Sequence, residues 1–301
     1  MKFSVIIPAY NAVPYIGRCL SCIPSRVETV VVDDGSADGT GRLVAGDFPG
    51  VLLLRQDNSG VSMARNAGLR RVTGEYVLFV DADDTLHPEA FDLLPARLEE
   101  CKADIVILRS FCDGTERYPW YGSFQEGALY TKQNLGAEAY VRGSVCGCVF
   151  RREYLMNNGF QFREGVSIAE DTLFFAETVS GGGRVVFLDI PFYEVFRRAD
   201  SASLRWTPDY LSRYGMAVQM AASILDPVIR TQTSFSLILG IIDTGIRMGL
   251  RPGQILRESG VSDILPLSLK GIRKRRAAIR LLNASFSLTY WLKRLMKWVK
   301  C

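Results

Sequence analysis

Two clusters of aspartates stand where apolar segments of the chain turn polar. Asp81-Ala82-Asp83-Asp84 follows the run Tyr76-Val77-Leu78-Phe79-Val80, and Asp33-Asp34-Gly35-Ser36 follows Thr29-Val30-Val31-Val32. Two carboxylates with one residue between them, at the exit of a buried strand, can both serve one metal site. Hard oxygen ligands suit Mg²⁺ or Mn²⁺, which keep waters and accept phosphate oxygens as well. The same residues also suit a helix cap, a role open to Asp84 or Thr85. A carboxylate just past a strand, as in Asp33-Asp34, can hydrogen-bond a ribose or a base N–H, although Asp, Gly and Ser equally form turns. A third acidic pair, Glu170-Asp171, opens a segment containing Leu173, Phe174, Phe175 and Val179. There a carboxylate can accept the proton of an attacking hydroxyl or merely complement a helix dipole.

Positioning these groups requires strands that end together. Val5-Ile6-Ile7, Thr29–Val32, Val51–Leu54, Tyr76–Val80 and Ile105–Leu108 are continuous apolar runs without alternation, the pattern of strands buried on both faces. Helical stretches over 13–22, 61–72 and 88–101 separate them. Strand and helix in alternation predict a mostly parallel sheet sandwiched by helices, an α/β fold, with ligands beyond the carboxyl ends of the strands. Tyr10-Asn11, Asp33-Asp34 and Asp81–Asp84 all sit at such ends, so they are expected to line one crevice. The middle third is less regular: strands at Val149-Phe150 and Arg184–Leu188, helices over 152–158 and 170–179. Pro208 opens a helical region that runs through much of the remainder.

The 301 residues include 36 basic and 32 acidic ones, a net charge of +4, too balanced to argue for nucleic acid. The distribution says more. No acidic residue follows Asp263, while ten basic ones do, which leaves a body with 26 basic and 32 acidic residues. Near the end Leu288, Trp291, Leu292, Leu295, Met296, Trp298 and Val299 fall on one helical arc and Lys293, Arg294, Lys297 and Lys300 on the other. A basic amphipathic helix with tryptophans fits an anionic membrane interface; a helix packed on the body is the other reading. Flotation with anionic liposomes that survives truncation after Asp263 would remove the membrane reading. Residues 235–250 come closest to a membrane span, but Asp243 and Arg247 interrupt them. Seven cysteines without framework spacing are expected to be reduced thiols in a cytosolic protein rather than zinc ligands. The start of the chain lacks a basic leading region and a small-residue cleavage site, so no signal peptide is expected.

Taken jointly, four segments resemble the family 2 glycosyltransferases: Val5-Ile6-Ile7-Pro8-Ala9-Tyr10-Asn11; Val32-Asp33-Asp34-Gly35-Ser36-Ala37-Asp38-Gly39-Thr40; Asn58-Ser59-Gly60-Val61-Ser62-Met63-Ala64-Arg65-Asn66-Ala67-Gly68; and Gly74-Glu75-Tyr76 leading to Asp81-Ala82-Asp83-Asp84. Order and spacing match over about residues 3–95, and Glu170-Asp171 resembles the later acidic pair. The resemblance implies a GT-A fold that binds a nucleoside-diphosphate sugar, usually of uridine. By position it implies that Pro8, Ala9 and Tyr10 line the nucleotide pocket, that Asp34 reads the base with Asp33 beside it, and that Arg65 lies near the diphosphate. It further implies that Asp81 approaches ribose and metal, that Asp83 is the principal ligand of Mn²⁺ or Mg²⁺, and that Asp171 is the catalytic base.

One base and one direct displacement give inversion. No late histidine is available as a metal ligand, since the sole histidine, His87, reads as a solvated loop residue. Arg197 or Arg198 could neutralise the diphosphate instead. The Q-x-x-R-W motif of processive synthases is lacking, so one sugar is added per encounter; Leu204-Arg205-Trp206 resembles it only superficially.

These readings expect a catalytic domain over 1–205, a helical extension over 206–263 and a basic tail over 264–301. The enzyme is expected to be cytoplasmic, peripheral at the inner face of the membrane, transferring to a glycan or lipid-linked acceptor in cell-surface polysaccharide synthesis. Two rivals remain. A sugar nucleotidyltransferase would need a glycine-rich triphosphate loop where Pro8-Ala9-Tyr10-Asn11 stands. A non-catalytic sugar-nucleotide-binding or scaffold protein would not need Asp81, Asp83 and Asp171 intact.

Overall fold

The computed structural model describes residues 1–117, 125–135, 145–197, 207, 209–265, 282 and 289. Two compact units divide the chain: Met1–Leu135, Ser144–Glu164 and Gly181–Ala199 form the first, and Gly136–Gly143, Gly165–Ser180 and Asp200–Cys301 the second.

The first unit is built on one sheet. β1 (Phe3–Ala9), β2 (Glu28–Asp34), β3 (Leu52–Gln56) and β4 (Tyr76–Phe79) alternate with α1 (Val13–Ser21), α2 (Thr40–Asp47) and α3 (Val61–Leu69). After β5 (Thr85–Leu86) and α4 (Ala90–Cys101) come β6 (Ile105–Cys112), β7 (Thr115–Arg117), β8 (Leu129–Tyr130), β9 (Cys148–Arg151), α5 (Arg152–Asn157) and β10 (Val185–Val195). The strands lie in the order β3-β2-β1-β4-β9-β6-β10-β5, with β7 on β6 and β8 on β10. β3, β2, β1 and β4 are mutually parallel, as are β6 and β10, and β9 runs antiparallel between β4 and β6. The sheet is thus mostly parallel, as the alternating pattern implies.

Every residue of β1 and β4 is buried, which is why these runs are continuously apolar. β3 differs: it is an edge strand, and Leu52 is exposed there. α3 can lie close to β1 because Gly68 faces Ile6; a Cβ at that position would run into the isoleucine side chain. The chain leaves β1 outward through β2 and β3, then returns to the other side of β1 as β4. The winding reverses between β1 and β4, the position at which sheets of this kind bind ligands beyond their carboxyl ends.

β10 is longer than the apolar run Arg184–Leu188 suggests. Asp189 and Pro191 interrupt the pattern, yet pairing with β6 resumes at Pro191 and Tyr193 after two register shifts. Irregular pairing of this kind tolerates a proline, whose missing N–H would break a regular ladder.

The second unit is helical: α6 (Glu170–Ser180), α7 (Tyr210–Ile224), α8 (Pro227–Arg247) and α9 (Pro252–Ser259). Three glycines permit close approach. Gly215 abuts the carbonyl of Ser259, Gly240 abuts Tyr214, and Gly245 abuts Ile255. Burial pushes the Tyr214 phenol above its ordinary range. Asp243 and Arg247, one turn apart on α8, pair at 2.9 Å. Whereas the sequence suggests a first domain continuous to residue 205, 165–180 groups with the helices, and this segment carries Asp171. No helix among the described residues is long and apolar enough to cross a membrane. Of the basic tail beyond residue 265, only Leu282 and Thr289 are described, and both are buried. Its amphipathic arc, Arg198 and Leu204-Arg205-Trp206 lie outside the described residues.

Candidate active site

Two of the motif segments are stapled together by their own polar groups. Pro8 and Ala9 end β1 inside the sheet, and Tyr10 emerges from it, 54% exposed. Asn11 takes a left-handed conformation, φ 49°, which asparagine tolerates. Its N–H donates to Ser36 Oγ at 2.9 Å, and its side-chain oxygen accepts from Ala37 N–H at 3.0 Å. Ala12 N–H donates to Thr40 Oγ1 at 2.8 Å and Val13 N–H to Asp38 Oδ2 at 3.0 Å. The loops after β1 and β2 therefore form one rim.

The paired aspartates of β2 differ in their surroundings. Asp33 is wholly buried. One oxygen accepts Ser36 N–H at 2.9 Å, and the other lies 3.1 Å from Arg55 Nε. Enclosed in this way, Asp33 supports the turn. Asp34 Oδ1 accepts from the Gln56 amide at 2.7 Å and from Ser59 N–H at 2.9 Å, and its Oδ2 accepts from Gly60 N–H at 2.9 Å. Asp34 thereby shapes the loop that enters α3. Gly35 makes the approach possible: its φ is +77°, and a Cβ there would stand 2.8 Å from Asn58 N.

α3 delivers Arg65 to the same end of the sheet. Its guanidinium donates to Asp81 Oδ1 at 2.9 Å, the arginine side chain being 4% and the aspartate 41% exposed. Next to it, Asn66 holds a distant segment: its amide donates to the Phe162 carbonyl and accepts Phe162 N–H, both at 2.8 Å. The Phe162 ring packs edge-on against Phe79 at 5.0 Å and under the Arg65 guanidinium at 5.2 Å. A buried aromatic support of this kind fixes the arginine head group.

The turn after β4 is held from three sides. Asp84 N–H closes it onto the Asp81 carbonyl at 3.1 Å. From α1, Arg18 donates to the Asp83 carbonyl at 2.7 Å, its guanidinium lying 3.7 Å from the Phe196 ring centre. From β10, the Tyr193 hydroxyl accepts Asp81 N–H at 3.1 Å and donates to Asp84 Oδ2 at 2.8 Å, while Asp84 Oδ1 accepts Phe196 N–H at 3.0 Å. Burial pushes the Asp84 carboxyl up to about 7; the Asp81 charge adds to this, the Tyr193 hydrogen bond opposes it, and the Asp83 charge raises it further.

Asp84 is thus no helix cap. α4 begins only at Ala90, its N-cap position is Glu89, and no side chain caps it. His87 also departs from the solvated reading. Its N–H donates to the Phe192 carbonyl at 2.8 Å, and its ring lies 3.9 Å from the Glu194 carboxylate and 5.5 Å from the Phe111 ring. The Cys19/Cys22 pair packs beneath the turn. Cys19 Sγ points at the Asp81 carbonyl at 3.7 Å, and Cys22 Sγ accepts Leu86 N–H at 3.1 Å. Burial, then the neighbouring Cys22 and the three aspartates, push the Cys19 thiol well above its ordinary range, so it stays neutral.

The first unit thus brings Pro8, Ala9, Tyr10, Asp33, Asp34, Arg65, Asp81 and Asp83 to the carboxyl ends of β1, β2 and β4, with Asp33, Asp34 and Arg65 buried and Asp81 and Asp83 partly exposed. Asp171 belongs to the second unit, in the first turn of α6, and is partly exposed. The preceding Ala169 adopts φ 60°, a strained conformation for a residue with a Cβ, and its carbonyl accepts Leu173 N–H at 3.0 Å. Arg197 is 81% exposed, with its Nε 3.9 Å from Asp113. Among the described residues no group of three or more His, Cys, Asp or Glu converges to hold a metal alone. Two hard carboxylates, Asp81 and Asp83, fit a cation that completes its shell with water and phosphate oxygens. A separate cavity of about 560 Å³ opens at the opposite pole of the sheet, beside Tyr76, Lys102, Arg151, Tyr154 and Arg184. Asp104 already engages Arg184 there at 2.8 Å, with Arg151 at 3.6 Å.

Arg18, Asn66, Phe162 and Tyr193 carry no sign of these roles in local sequence. Their partners lie 65 to 112 residues away, and β10 reaches the turn through its antiparallel pairing with β5, where Tyr193 stands opposite Leu86.

A mostly parallel sheet with carboxylates at its winding reversal defines an α/β domain of the GT-A type. The chain belongs to glycosyl transferase family 2, which it matches over residues 4–159. It is similar to glycosyltransferase GlyA of Streptococcus pneumoniae, with 38% identity over 227 residues, 70% of this chain and 32% of that protein. To the uncharacterized glycosyltransferase YibD of Escherichia coli it is 29% identical over 220 residues, 67% of this chain and 63% of the other. The chain spans less than two thirds of the length of either relative. The crystal structure of Staphylococcus aureus TarS 1-349 in complex with UDP-GlcNAc shares the fold, with a TM-score of 0.72 at 23% identity over 96% of this chain and 89% of that one.

Proposed function

We propose that this protein transfers a sugar from a nucleoside-diphosphate sugar, of uridine by preference, to a hydroxyl of a glycan or lipid-linked acceptor in cell-surface polysaccharide synthesis. The observation that carries the reading is the convergence of Asp34, Arg65 and Asp81 at the carboxyl ends of β2 and β4. Family membership supports the reaction class, and the UDP-GlcNAc complex of TarS supports a uridine donor.

In this reading Pro8, Ala9 and the exposed Tyr10 line the nucleotide pocket. Asp34 accepts the base N–H through a remaining lone pair, and Asp33 holds the turn beneath it. Arg65 lies towards the diphosphate, and its bond to Asp81 orients that carboxylate. Asp81 and Asp83 would hold Mn²⁺ or Mg²⁺, which as a Lewis acid offsets charge on the departing phosphate.

The acceptor oxygen forms a bond to the anomeric carbon as the bond from that carbon to the diphosphate oxygen breaks. The electron pair leaves with the nucleoside diphosphate, and the hydroxyl proton passes to the Asp171 carboxylate. A single displacement inverts the anomeric configuration. The strained Ala169 immediately before Glu170-Asp171 supports a functional role there, since such strain concentrates at functional sites.

Thermal-shift screening against UDP- and GDP-sugars with Mn²⁺ tests the donor. A rise in melting temperature with UDP-sugars is expected, and no response to any nucleotide would sink the reading. Asp171→Asn is expected to keep donor binding while turnover falls about 10²–10⁴-fold. Retained turnover moves the base elsewhere, and a product of retained anomeric configuration by NMR removes the inverting mechanism.

A further inference from the structure

We infer that Tyr193 is a positioning residue for Asp81 and Asp83, acting through the backbone of their turn and through Asp84. The inference rests on the reading of this turn as the cation and diphosphate site.

The Tyr193 side chain is fully buried, so its hydroxyl needs partners within the protein. It finds two on the same turn, accepting Asp81 N–H at 3.1 Å and donating to Asp84 Oδ2 at 2.8 Å. One hydroxyl therefore fixes where the turn begins and where it ends. Asp84 is 5% exposed and has both oxygens engaged, by Tyr193 and by Phe196 N–H, so it is committed to the fold and not offered to a ligand.

Arg18 ties the same two segments a second time, through the Asp83 carbonyl and the Phe196 ring. Between the two ties, the partly exposed Asp81 and Asp83 are carried on a backbone held from β10 and from α1. Groups that orient metal-binding carboxylates in this way set affinity although they never touch the ion, and removing one costs about tenfold or more. The same geometry gives Asp84 a role that its place beside the aspartate pair conceals: it anchors the turn and is not a third ligand.

Tyr193→Phe keeps the ring and removes only the hydroxyl. By calorimetric titration of the full chain with UDP, the variant is expected to need about tenfold more Mn²⁺ for half-maximal UDP binding, with metal-free UDP affinity unchanged. Hydrogen exchange should quicken at the amides of the 81–84 turn and stay slow in β1 and β2. Asp84→Asn should shift the Mn²⁺ requirement as well. The double variant should fall short of the summed effects, because both substitutions act on the same Tyr193–Asp84–Phe196 cluster.

An unchanged Mn²⁺ requirement in Tyr193→Phe, with the unmodified protein binding UDP normally, overturns the positioning role alone. Equal loss of metal-free and metal-dependent binding also overturns it, since a merely structural role would weaken both. If the unmodified protein binds UDP neither with nor without Mn²⁺, the donor reading falls and this inference falls with it.

Discussion

Replacing Asn66 with alanine tests the link between the signature helix and the chain a hundred residues later. Asn66 and Phe162 are both buried, and the amide makes two hydrogen bonds of 2.8 Å to the Phe162 backbone. Each such bond contributes a net of about 0.5–1.5 kcal/mol, but leaving a buried N–H or carbonyl without a partner costs about 1–3 kcal/mol. Alanine removes both partners at once, so the second figure governs and the gross loss is about 2–6 kcal/mol. Better helix propensity returns about 0.5 kcal/mol. A net loss of about 1.5–5.5 kcal/mol is therefore expected, a large share of the roughly 5–15 kcal/mol that holds a domain of ordinary stability.

Urea unfolding followed by far-ultraviolet circular dichroism reads this as a lowered midpoint with an unchanged slope. Hydrogen exchange at the Phe162 amide should accelerate in parallel. The Arg65 guanidinium, deprived of a fixed Phe162 ring 5.2 Å away, should also hold Asp81 less firmly, which predicts weaker UDP binding. A loss below about 1 kcal/mol, within the range of a single exposed hydrogen bond, would refute the reasoning. So would a Phe162 amide that keeps its protection in the variant.

Gly68→Ala should destabilise by about 1–3 kcal/mol through overpacking against Ile6, less the roughly 1 kcal/mol gained by removing a helical glycine. Ile6→Ala should then cost less in that variant than in the original chain, and equal costs in urea titrations would disprove the contact. Glu28 supplies a pH test. Burial opposes its ionisation, but hydrogen bonds from Ser4 and Thr73, together with Lys2, outweigh that and hold its carboxyl down at about 2. An unfolded glutamate titrates near 4.3, so the folded value is depressed and the stabilisation is complete above about 4.3 and drains as the pH falls towards 2. Glu28→Gln should flatten the fall of melting temperature over that interval, and superimposable profiles would contradict the assignment.

Much of the sheet unit is legible in local residues. Continuous apolar runs at β1, β2 and β4 mark strands covered on both faces, and the polar residues that end them mark the crevice, because neither pattern needs a partner far along the chain. The signature Asp33-Asp34-Gly35-Ser36 even contains its own explanation, a turn that only glycine allows so close to Asn58. Asp33 and Asp34, adjacent in sequence, are both buried but take different partners, since successive strand residues point to opposite faces: Asp33 engages Ser36 and Arg55, and Asp34 engages Gln56, Ser59 and Gly60. Asp84 misleads, since a carboxylate after a strand reads as a cap until its burial is known.

What the sequence alone determined is the alternation of elements, the family, and the aspartates that can do chemistry, all of which reside in patterns spanning a few residues. Tertiary structure alone decided which of those carboxylates are buried, Asp33, Asp34 and Asp84, and which stay partly exposed, Asp81, Asp83 and Asp171. It also decided that Asn66 reaches Phe162, that Tyr193 reaches the turn after β4, and that the segment of Asp171 groups with the helices. These follow from strand order and burial, and a hydroxyl's partner more than a hundred residues distant leaves no trace in its neighbours.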